Sequence, residues 1–246
     1  MVRFVPVVAA AAALALGGCH VGANAEEKDA GPMVSRTYQV AAFDRIEITG
    51  PFNVNVVTGA KGGISASGNQ ALLDETDVIV EDGVLKIMPK KKKGLRWGWG
   101  WSSKGKGEAT FTVNAAALKG ASIAGSGTVA VDKIAGDFDG DVAGSGDLKL
   151  ASVAGGKVKL AIAGSGDVQA AGKADSVDIE IAGSGGVDAK SLATRTASVS
   201  IAGSGTVSAQ ASQTADVSIA GSGDVDITGG AKCTVDKAGS GDVRCS

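Results

Sequence analysis

The chain contains 246 residues and carries a formal net charge of −2, with 24 basic and 26 acidic side chains. This balance predicts no strong overall preference for a polyanionic partner such as nucleic acid. The single histidine, His20, lies near the N-terminus, so the remainder of the chain offers no histidine base for a serine nucleophile.

The first 25 residues are predicted to be an export signal. A positively charged start precedes an apolar stretch over residues 4–16, which suits a signal sequence and is too short to span a bilayer.

Two possible cleavage sites follow the apolar stretch. Ala23–Ala25 fits the small-residue rule of ordinary signal peptidase, whereas Leu16–Cys19 resembles a bacterial lipobox in which Cys19 becomes the lipidated N-terminus. We expect an outer-membrane or cell-surface lipoprotein, with a periplasmic or secreted protein as the alternative.

Residues 26–36 are polar and rich in small side chains, which predicts a tether between anchor and folded part. In residues 37–114, apolar side chains alternate over short runs separated by Gly-rich turns, a pattern typical of β-strands. We expect irregular first coils or a small β-sandwich continuous with the repeats that follow. Residues 64–69 resemble a degenerate form of the later repeat bend, and Gln70–Asp74 is predicted to form one helical turn.

The segment 90–108 differs in composition from the rest of the chain. It holds all three tryptophans beside a cluster of cations. The flanking strands end near Ile87 and restart near Ala109, so a long exposed hairpin loop is predicted. Cationic and aromatic side chains together suit anionic lipid headgroups or acidic sugars. The candidate surface-binding residues are Lys90, Lys91, Lys92, Lys93, Arg96, Trp97, Trp99 and Trp101. The alternative is a loop whose tryptophans pack on the sheet and whose lysines are only solvated.

The remaining part, residues 115–246, is built on an internal repeat. The tetrapeptide Ala-Gly-Ser-Gly occurs seven times, at intervals of 18 to 20 residues. Its copies begin at Ala124, Ala143, Ala163, Ala182, Ala202, Ala220 and Ala238. A unit this short cannot bury a face alone, so a fixed period of this kind predicts coils that stack on one another.

Apolar residues alternate on both sides of each tetrapeptide, which is the signal of a strand with one buried face. An aliphatic residue directly precedes every copy except the last, where Lys237 stands. Equivalent residues are therefore expected to stack from coil to coil. The predicted fold is all-β, a right-handed parallel β-helix (β-solenoid) of about 18–20 residues per coil, preceded by irregular β N-terminal coils.

The serine of each Ala-Gly-Ser-Gly is predicted to be structural. Seven identical copies argue against one active serine, and the glycines permit a tight bend whose hydroxyl group hydrogen-bonds locally. Aspartates follow four of the bends, at Asp147, Asp167, Asp224 and Asp242. Calcium-binding repeats carry aspartates more densely than once per coil, so we interpret these residues as a solvated acidic edge, with calcium as the minor alternative.

Two cysteines, Cys233 and Cys245, lie near the C-terminus. Alignment of the repeats places both at inward positions of the final coil. Exported proteins occupy compartments in which disulfides persist, so a bridge that fastens the end of the stack is predicted. Two free thiols are the alternative.

Several of these motifs together resemble one bacterial family. They are the export signal, the strand Phe43–Ile48, the Gly50–Val54 step and the serial Gly-Ser-Gly-x-Val bends. This combination is similar to the head GIN domain family, also known as auto-transporter adhesin heads, over residues 37–246. Here Gly-Asp-Val or Gly-Thr-Val stands where the family has Gly-Ile-Asn. The resemblance implies a β-helical protein that is exported or faces the cell surface, and it supplies no catalytic residues to carry over to this chain.

The sequence thus favours a non-enzymatic exported envelope protein that acts as an adhesin-like or structural binding module. No cofactor and no metal is predicted. Candidate partners are an anionic glycan, a lipid or an envelope protein, in addition to the membrane reached through the N-terminal anchor. One alternative is a carbohydrate-active β-helix enzyme, for which Asp137, Asp139 and Asp141 form the one dense carboxylate group. Another alternative is a membrane-associated sensor or scaffold that uses the segment 90–108.

Overall fold

The computed structural model describes residues 31–59, 62–90 and 107–246. Among them are 20 strands and one short helix. The first elements are β1 (Met33–Tyr38), β2 (Arg45–Thr49), β3 (Asn53–Thr58), β4 (Gly63–Asn69), α1 (Gln70–Asp74), β5 (Thr76–Glu81), β6 (Val84–Pro89) and β7 (Ala109–Ala115). The repeats form β8 (Gly120–Gly125), β9 (Thr128–Val131), β10 (Ile134–Ala135), β11 (Phe138–Gly144), β12 (Asp147–Ala154), β13 (Lys157–Gly164), β14 (Asp167–Lys173), β15 (Ser176–Gly183), β16 (Gly186–Gly203), β17 (Thr206–Gly221), β18 (Asp224–Thr228), β19 (Lys232–Gly239) and β20 (Val243–Cys245).

Stacked parallel coils form a β-solenoid, which confirms the predicted fold class. Each coil has two main sides that meet at an Ala-Gly-Ser-Gly bend. Side A holds the strand before the bend, and side B holds the strand after it. Side A stacks β6, β2, β8, β11, β13, β15, the second halves of β16 and β17, and then β19. Side B stacks β7, β3, β9, β12, β14, the first halves of β16 and β17, β18 and β20.

A short third side closes each coil. Ile134 of β10 pairs with Val153 in the next coil, and Val153 pairs with Gly172. The strands β16 and β17 continue through this side without interruption, so each of them joins side B of one coil to side A of the next.

The core is a set of aliphatic columns, as the aligned repeats predict. On side A, Ile162 pairs with Ile181, which pairs with Ile201 and then with Ile219, and all four side chains are buried. Burial of this kind stabilises a protein by about 25 cal/mol per Å² of apolar surface, so the columns supply the main driving force for stacking. The larger aromatic residues lie in the first coils, where the Phe52 and Phe111 rings meet edge to face.

The backbone conformation and the close approach of neighbouring coils require both glycines of the bend. Gly144 has a φ of 123°, a conformation that favours glycine. A Cβ atom on Gly146 would lie 2.6 Å from the carbonyl oxygen of Gly127 in the preceding coil. This proximity lets Ser145 N donate to Gly125 O at 2.9 Å, so the hydrogen-bond ladder continues around the corner.

The N-terminal coils are stacked out of chain order. The β2–β3 coil lies between the β6–β7 coil and the first regular coil, since β2 pairs with both β6 and β8. Antiparallel strands then finish the stack, with β5 beside β6, β4 beside β7 and β1 beside β4. The predicted turn α1 is confirmed, and its buried Leu72 and Leu73 pack on the core.

Two details of the N-terminal part differ from the sequence-based expectations. Residues 64–69 form most of strand β4, so the prediction of a bend there is wrong; their alternating Ile64, Ala66 and Gly68 are buried in the sheet. The strand β1 begins at Met33 and therefore overlaps the predicted tether of residues 26–36 by four residues. Its antiparallel pairing with β4 provides the partner that orders this segment.

Candidate functional site

The cationic and aromatic segment 90–108 connects two described strand ends. Strand β6 ends at Pro89 and β7 begins at Ala109, close to the predicted limits. Lys90 is exposed, and its backbone N donates to Glu75 O at 2.8 Å. The other candidate residues, Lys91, Lys92, Lys93, Arg96, Trp97, Trp99 and Trp101, lie outside the described residues.

The ends of this segment stand at a solenoid corner, where other coils have a short bend. Ile48 pairs with Ile87, and Asn53 pairs with Thr110. Five positions separate Ile48 from Asn53, whereas 23 separate the paired Ile87 and Thr110. The segment is therefore an insertion of 18 residues at a bend. The hairpin prediction is wrong, because β6 and β7 are successive sides of one coil and pair with different strands.

The predicted lipidation residue, Cys19, and the whole export signal lie outside the described residues. Within residues 31–59, 62–90 and 107–246, no helix combines the length and hydropathy needed to span a bilayer.

The C-terminal cysteines are joined by a disulfide. Cys233 stacks on Ala215 on side A, and Cys245 stacks on Ile227 on side B, which confirms the columns inferred from sequence. The bridge spans the last coil with a Cα–Cα distance of 6.6 Å. No strand of the described residues covers this coil, and Val235 is accordingly 45% exposed.

Lys237 protects the same open end. It occupies the aliphatic column below Ile219, but its Nζ atom donates to Gly241 O at 2.6 Å across the bend. A charged, hydrogen-bonded side chain at the end of an apolar column discourages another chain from adding to the exposed strand edge.

Side A carries alternating charges on its outer surface. Asp139 and Asp141 point outward, while Phe138, Gly140 and Val142 between and beside them are buried. Arg45 Nη2 lies 3.0 Å from Asp139 Oδ2, so Asp139 forms an ion pair with Arg45.

Although Asp141 points outward, partial desolvation by the neighbouring side chains raises the pKa of its carboxyl group, and the nearby Asp139 raises it further. Farther along side A, Lys159 Nζ lies 3.5 Å from Glu180 Oε1. Charged side chains of neighbouring coils therefore form ion pairs along the outer surface of side A.

The aspartates that follow the bends link neighbouring coils on side B. Asp167 Oδ1 accepts from Gly186 N at 3.1 Å, and Asp224 Oδ1 accepts from Asp242 N at 2.9 Å. In the part of the chain that the structure describes, no group of three His, Cys, Asp or Glu side chains is placed to hold a metal ion. The bend serines, from Ser126 to Ser240, are all exposed along one ridge.

Comparison with known proteins identifies a related family. The family described as "putative auto-transporter adhesin, head GIN domain" matches residues 42–231. No curated protein matches the chain significantly.

Several crystal structures share the fold. A protein of Parabacteroides distasonis ATCC 8503 described as a putative lipid binding protein is 25% identical, with a TM-score of 0.71; the match covers 88% of this chain and 97% of that one. A putative adhesin of Bacteroides fragilis NCTC 9343 is 22% identical, with a TM-score of 0.74 and coverage of 87% and 97%. A second P. distasonis protein, also described as a putative adhesin, is 20% identical, with a TM-score of 0.66 and coverage of 88% and 98%.

Proposed function

The chain belongs to the head GIN domain family, whose description is "putative auto-transporter adhesin", and from this premise we propose that it is a non-enzymatic, exported binding module of the cell envelope. It is anchored through a lipidated Cys19 and holds its solenoid away from the membrane. The observation that carries the proposal is the architecture itself. Regular coils repeat the same outward positions seven times, and solenoids of this kind present extended surfaces to partners.

The insertion at the corner between β6 and β7 supplies the contact in this proposal. It concentrates all three tryptophans and a run of lysines at one bend of the first coils. Cations attract anionic headgroups or acidic sugars, and indole rings favour the boundary between water and apolar groups. The crystallised relative described as a putative lipid binding protein supports a lipid as one partner.

The carbohydrate-active enzyme is the weaker candidate. A glycosidase places two carboxyl groups on opposite sides of the scissile bond. The carboxyl groups of Asp139 and Asp141 lie on one outer face, and Arg45 already pairs with Asp139. These features favour a structural role for the Asp137–Asp141 group.

Binding and turnover assays on the same ligands test the proposal. Mature protein is applied to a glycan array and to vesicles of phosphatidylglycerol and phosphatidylcholine, and bound glycans are then assayed for new reducing or unsaturated ends. We expect retention on an anionic surface without cleavage. Cleavage of a bound glycan would show that the protein is an enzyme, and retention on no surface would refute a lipid or glycan as its partner.

A further inference from the structure

The two ends of the solenoid are finished differently. At the N-terminal end, antiparallel strands and α1 cover the core, with Leu72 and Leu73 of α1 buried. At the C-terminal end, among the described residues, β19 pairs only with β17 and β20 only with β18, so one edge of each strand is unpaired. Val235 and Val243 point inward from this last coil but keep exposed apolar surface. A stacked repeat needs a covered or polar end, so this end is a candidate contact surface.

The exposed strand β19 is complementary to a second copy of itself. Lys232, Thr234 and Asp236 point outward and are exposed, and they alternate with the inward Cys233 and Val235. A two-fold axis through Thr234 places Lys232 of each strand opposite Asp236 of the other. The same axis places Cys233 opposite Val235, so inward residues meet inward residues. Two β19 strands can therefore pair antiparallel, with one cross-strand ion pair on each side of the axis.

The charges select this register over its neighbours. A shift of two residues places Lys232 opposite Thr234 or Ala238, and neither arrangement forms the ion pair. A shift of four residues places Lys232 opposite Lys232, or Asp236 opposite Asp236, which is repulsive. A shift of one or three residues brings the inward face of one strand beside the outward face of the other.

Lys237 restricts which strands can add to this edge. Its Nζ atom donates to Gly241 O, so the cation stays at the corner of the last coil. An apolar strand added in an arbitrary register would bury this charge, which is unfavourable. In the matched register, Lys237 lies opposite the small, half-buried Ala231 of the second copy. The edge thus disfavours most strands and accepts one arrangement.

Side B follows the same two-fold axis. Cys245 faces Cys233 through the disulfide, so Thr234 lies across the core from Arg244. The two Arg244 side chains of a pair therefore come near one another. Each of them stands beside Asp226 of the preceding coil, which offsets their repulsion.

We propose that the C-terminal end of the solenoid binds a second copy of this chain head to head, through antiparallel pairing of the two β19 strands. The proposal rests on the binding-module function and names a second copy as a partner. The eight residues of β19 span about 26 Å and the two sheets stand about 10 Å apart, so each end face with its side chains covers roughly 500 Å². A pair then buries about 1,000 Å², the lower limit of specific interfaces, and the association is expected to be reversible.

A head-to-head pair holds its two N-terminal ends far apart. Side A of one copy stacks ten strands, namely β5, β6, β2, β8, β11, β13, β15, β16, β17 and β19. Twenty strands about 4.8 Å apart form a rod of about 90 Å, with β1 near each end. Because β1 follows the predicted anchor and tether, the pair joins copies that are held on facing surfaces. The adhesin-like contact is then between identical molecules.

Sedimentation of charge-reversal variants tests the pairing. All proteins carry Cys19→Ser, which removes the lipid and the one cysteine outside the bridge. We expect the parent to form a dimer as its concentration rises. Lys232→Glu and Asp236→Lys should each weaken dimerisation at least about tenfold, because two attractive pairs become repulsive. The double variant Lys232→Glu/Asp236→Lys should restore it, and so should an equimolar mixture of the two single variants.

A matched control and a cross-link locate the contact. Asp188→Lys makes the same change of charge on side B, three coil steps before β20, and should dimerise as the parent does. Thr234→Cys lies on the axis and should form an intermolecular disulfide, since paired residues of antiparallel strands have Cα atoms about 4.5–5.5 Å apart. Ser218→Cys, which points outward one coil earlier, should not cross-link.

Coated beads test the orientation. Beads that carry the protein coupled through its N-terminus present the C-terminal end and should clump. Beads that carry it coupled through its C-terminus should stay dispersed, and Asp236→Lys should abolish clumping in the first arrangement. Equal clumping of both kinds of bead would overturn the head-to-head arrangement.

A parent that stays monomeric up to about 1 mM would overturn the proposal. Unchanged dimerisation of both single charge reversals would overturn it too, and so would a dimer in which Thr234→Cys does not cross-link. Circular dichroism confirms that each variant is folded, and a variant that fails to fold leaves the other reversal and the cross-link to decide. Failure here is distinct from failure of the binding-module function, because retention of monomeric protein on vesicles or glycans requires no second copy.

Discussion

Gly146 lies directly over Gly127 of the preceding coil, and a Cβ atom on Gly146 would stand 2.6 Å from the Gly127 carbonyl oxygen and 2.7 Å from Ile123 Cγ2. The backbone at this bend also donates from Asp147 N to Gly127 O at 3.0 Å. A larger residue must therefore separate two coils that are hydrogen-bonded at the same point.

Gly146→Ala is expected to destabilise the solenoid by about 1–3 kcal/mol, the usual range for overpacking. Thermal unfolding followed by circular dichroism measures the effect. Gly63→Ala is the matched control, because a Cβ atom there meets nothing within 4 Å. A melting temperature of Gly146→Ala equal to that of the control would contradict the close-approach argument.

The regular coils were predictable because a chemical motif marks each of them. Every Ala-Gly-Ser-Gly fixes the same bend, so the column from Ile162 to Ile219 follows from counting residues. The order β6–β2–β8 was not predictable, because no motif marks the bend between β6 and β7. The hairpin error has the same origin, since an 18-residue insertion hides the corner.

The outer face of side B left a weak trace in the sequence. Gly186 is an exception among the residues that follow the bends, where Asp or Thr stands at the other six positions. Sequence alone did not reveal that these aspartates form no ion pair with another described residue, because pairing depends on distances across coils. On side A, for example, Arg45 reaches Asp139 across a sequence separation of 94 residues and over the glycine Gly120.

Asp141→Asn is expected to raise stability near neutral pH. Partial desolvation and the neighbouring Asp139 raise the pKa of Asp141, so the folded state binds its proton more tightly than the unfolded chain does. Stability from this group is present at low pH and is lost as pH rises through the folded-state pKa. The gain should stay below about 0.5 kcal/mol, because an exposed carboxylate is screened by solvent. Melting temperatures from pH 3 to 8 measure it.

The comparison variant for this pH dependence is Asp216→Asn, another outward residue of side A. We expect the difference in melting temperature between Asp141→Asn and the parent to shrink toward pH 3, where Asp141 is protonated in both states. A difference that grows toward low pH would have the wrong sign and would contradict the assignment.

Lipidation at Cys19 is expected in protein taken from the membrane fraction of an expressing bacterium. This prediction rests on the position of Leu16–Cys19 at the end of the apolar stretch of the signal. Intact-mass spectrometry should show a diacylated or triacylated N-terminal cysteine, and Cys19→Ser should release the protein from the membrane. A mature chain that begins at Glu26 would instead establish ordinary signal-peptidase cleavage.

Replacement of Trp97, Trp99 and Trp101 by Ala is expected to weaken retention on anionic vesicles. Each interfacial indole contributes apolar burial, so removal of three should lower affinity at least about tenfold if the segment forms the contact. Vesicle co-sedimentation measures this, with the β-sheet circular dichroism spectrum as the check on folding. Trp→Phe replacement at the same positions is the conservative control, and unchanged retention of the Ala variant would refute the role of this segment.

Reduction of the Cys233–Cys245 bridge is expected to loosen the last coil before the others. The bridge closes a loop with a sequence separation of 12 residues, which corresponds to about 3 kcal/mol in the chain-entropy model. In a stack where each coil contacts only its neighbours, this loss remains at the end. Hydrogen exchange should therefore quicken in residues 232–246 while β11–β15 stay protected. Cys233→Ser/Cys245→Ser should reproduce the effect and show no further change with reductant.

Thiols that react with an alkylating reagent before reduction would show that the exported protein lacks the bridge. Lys237, whose side chain donates a hydrogen bond to Gly241 O, would then be the remaining protection of the open end.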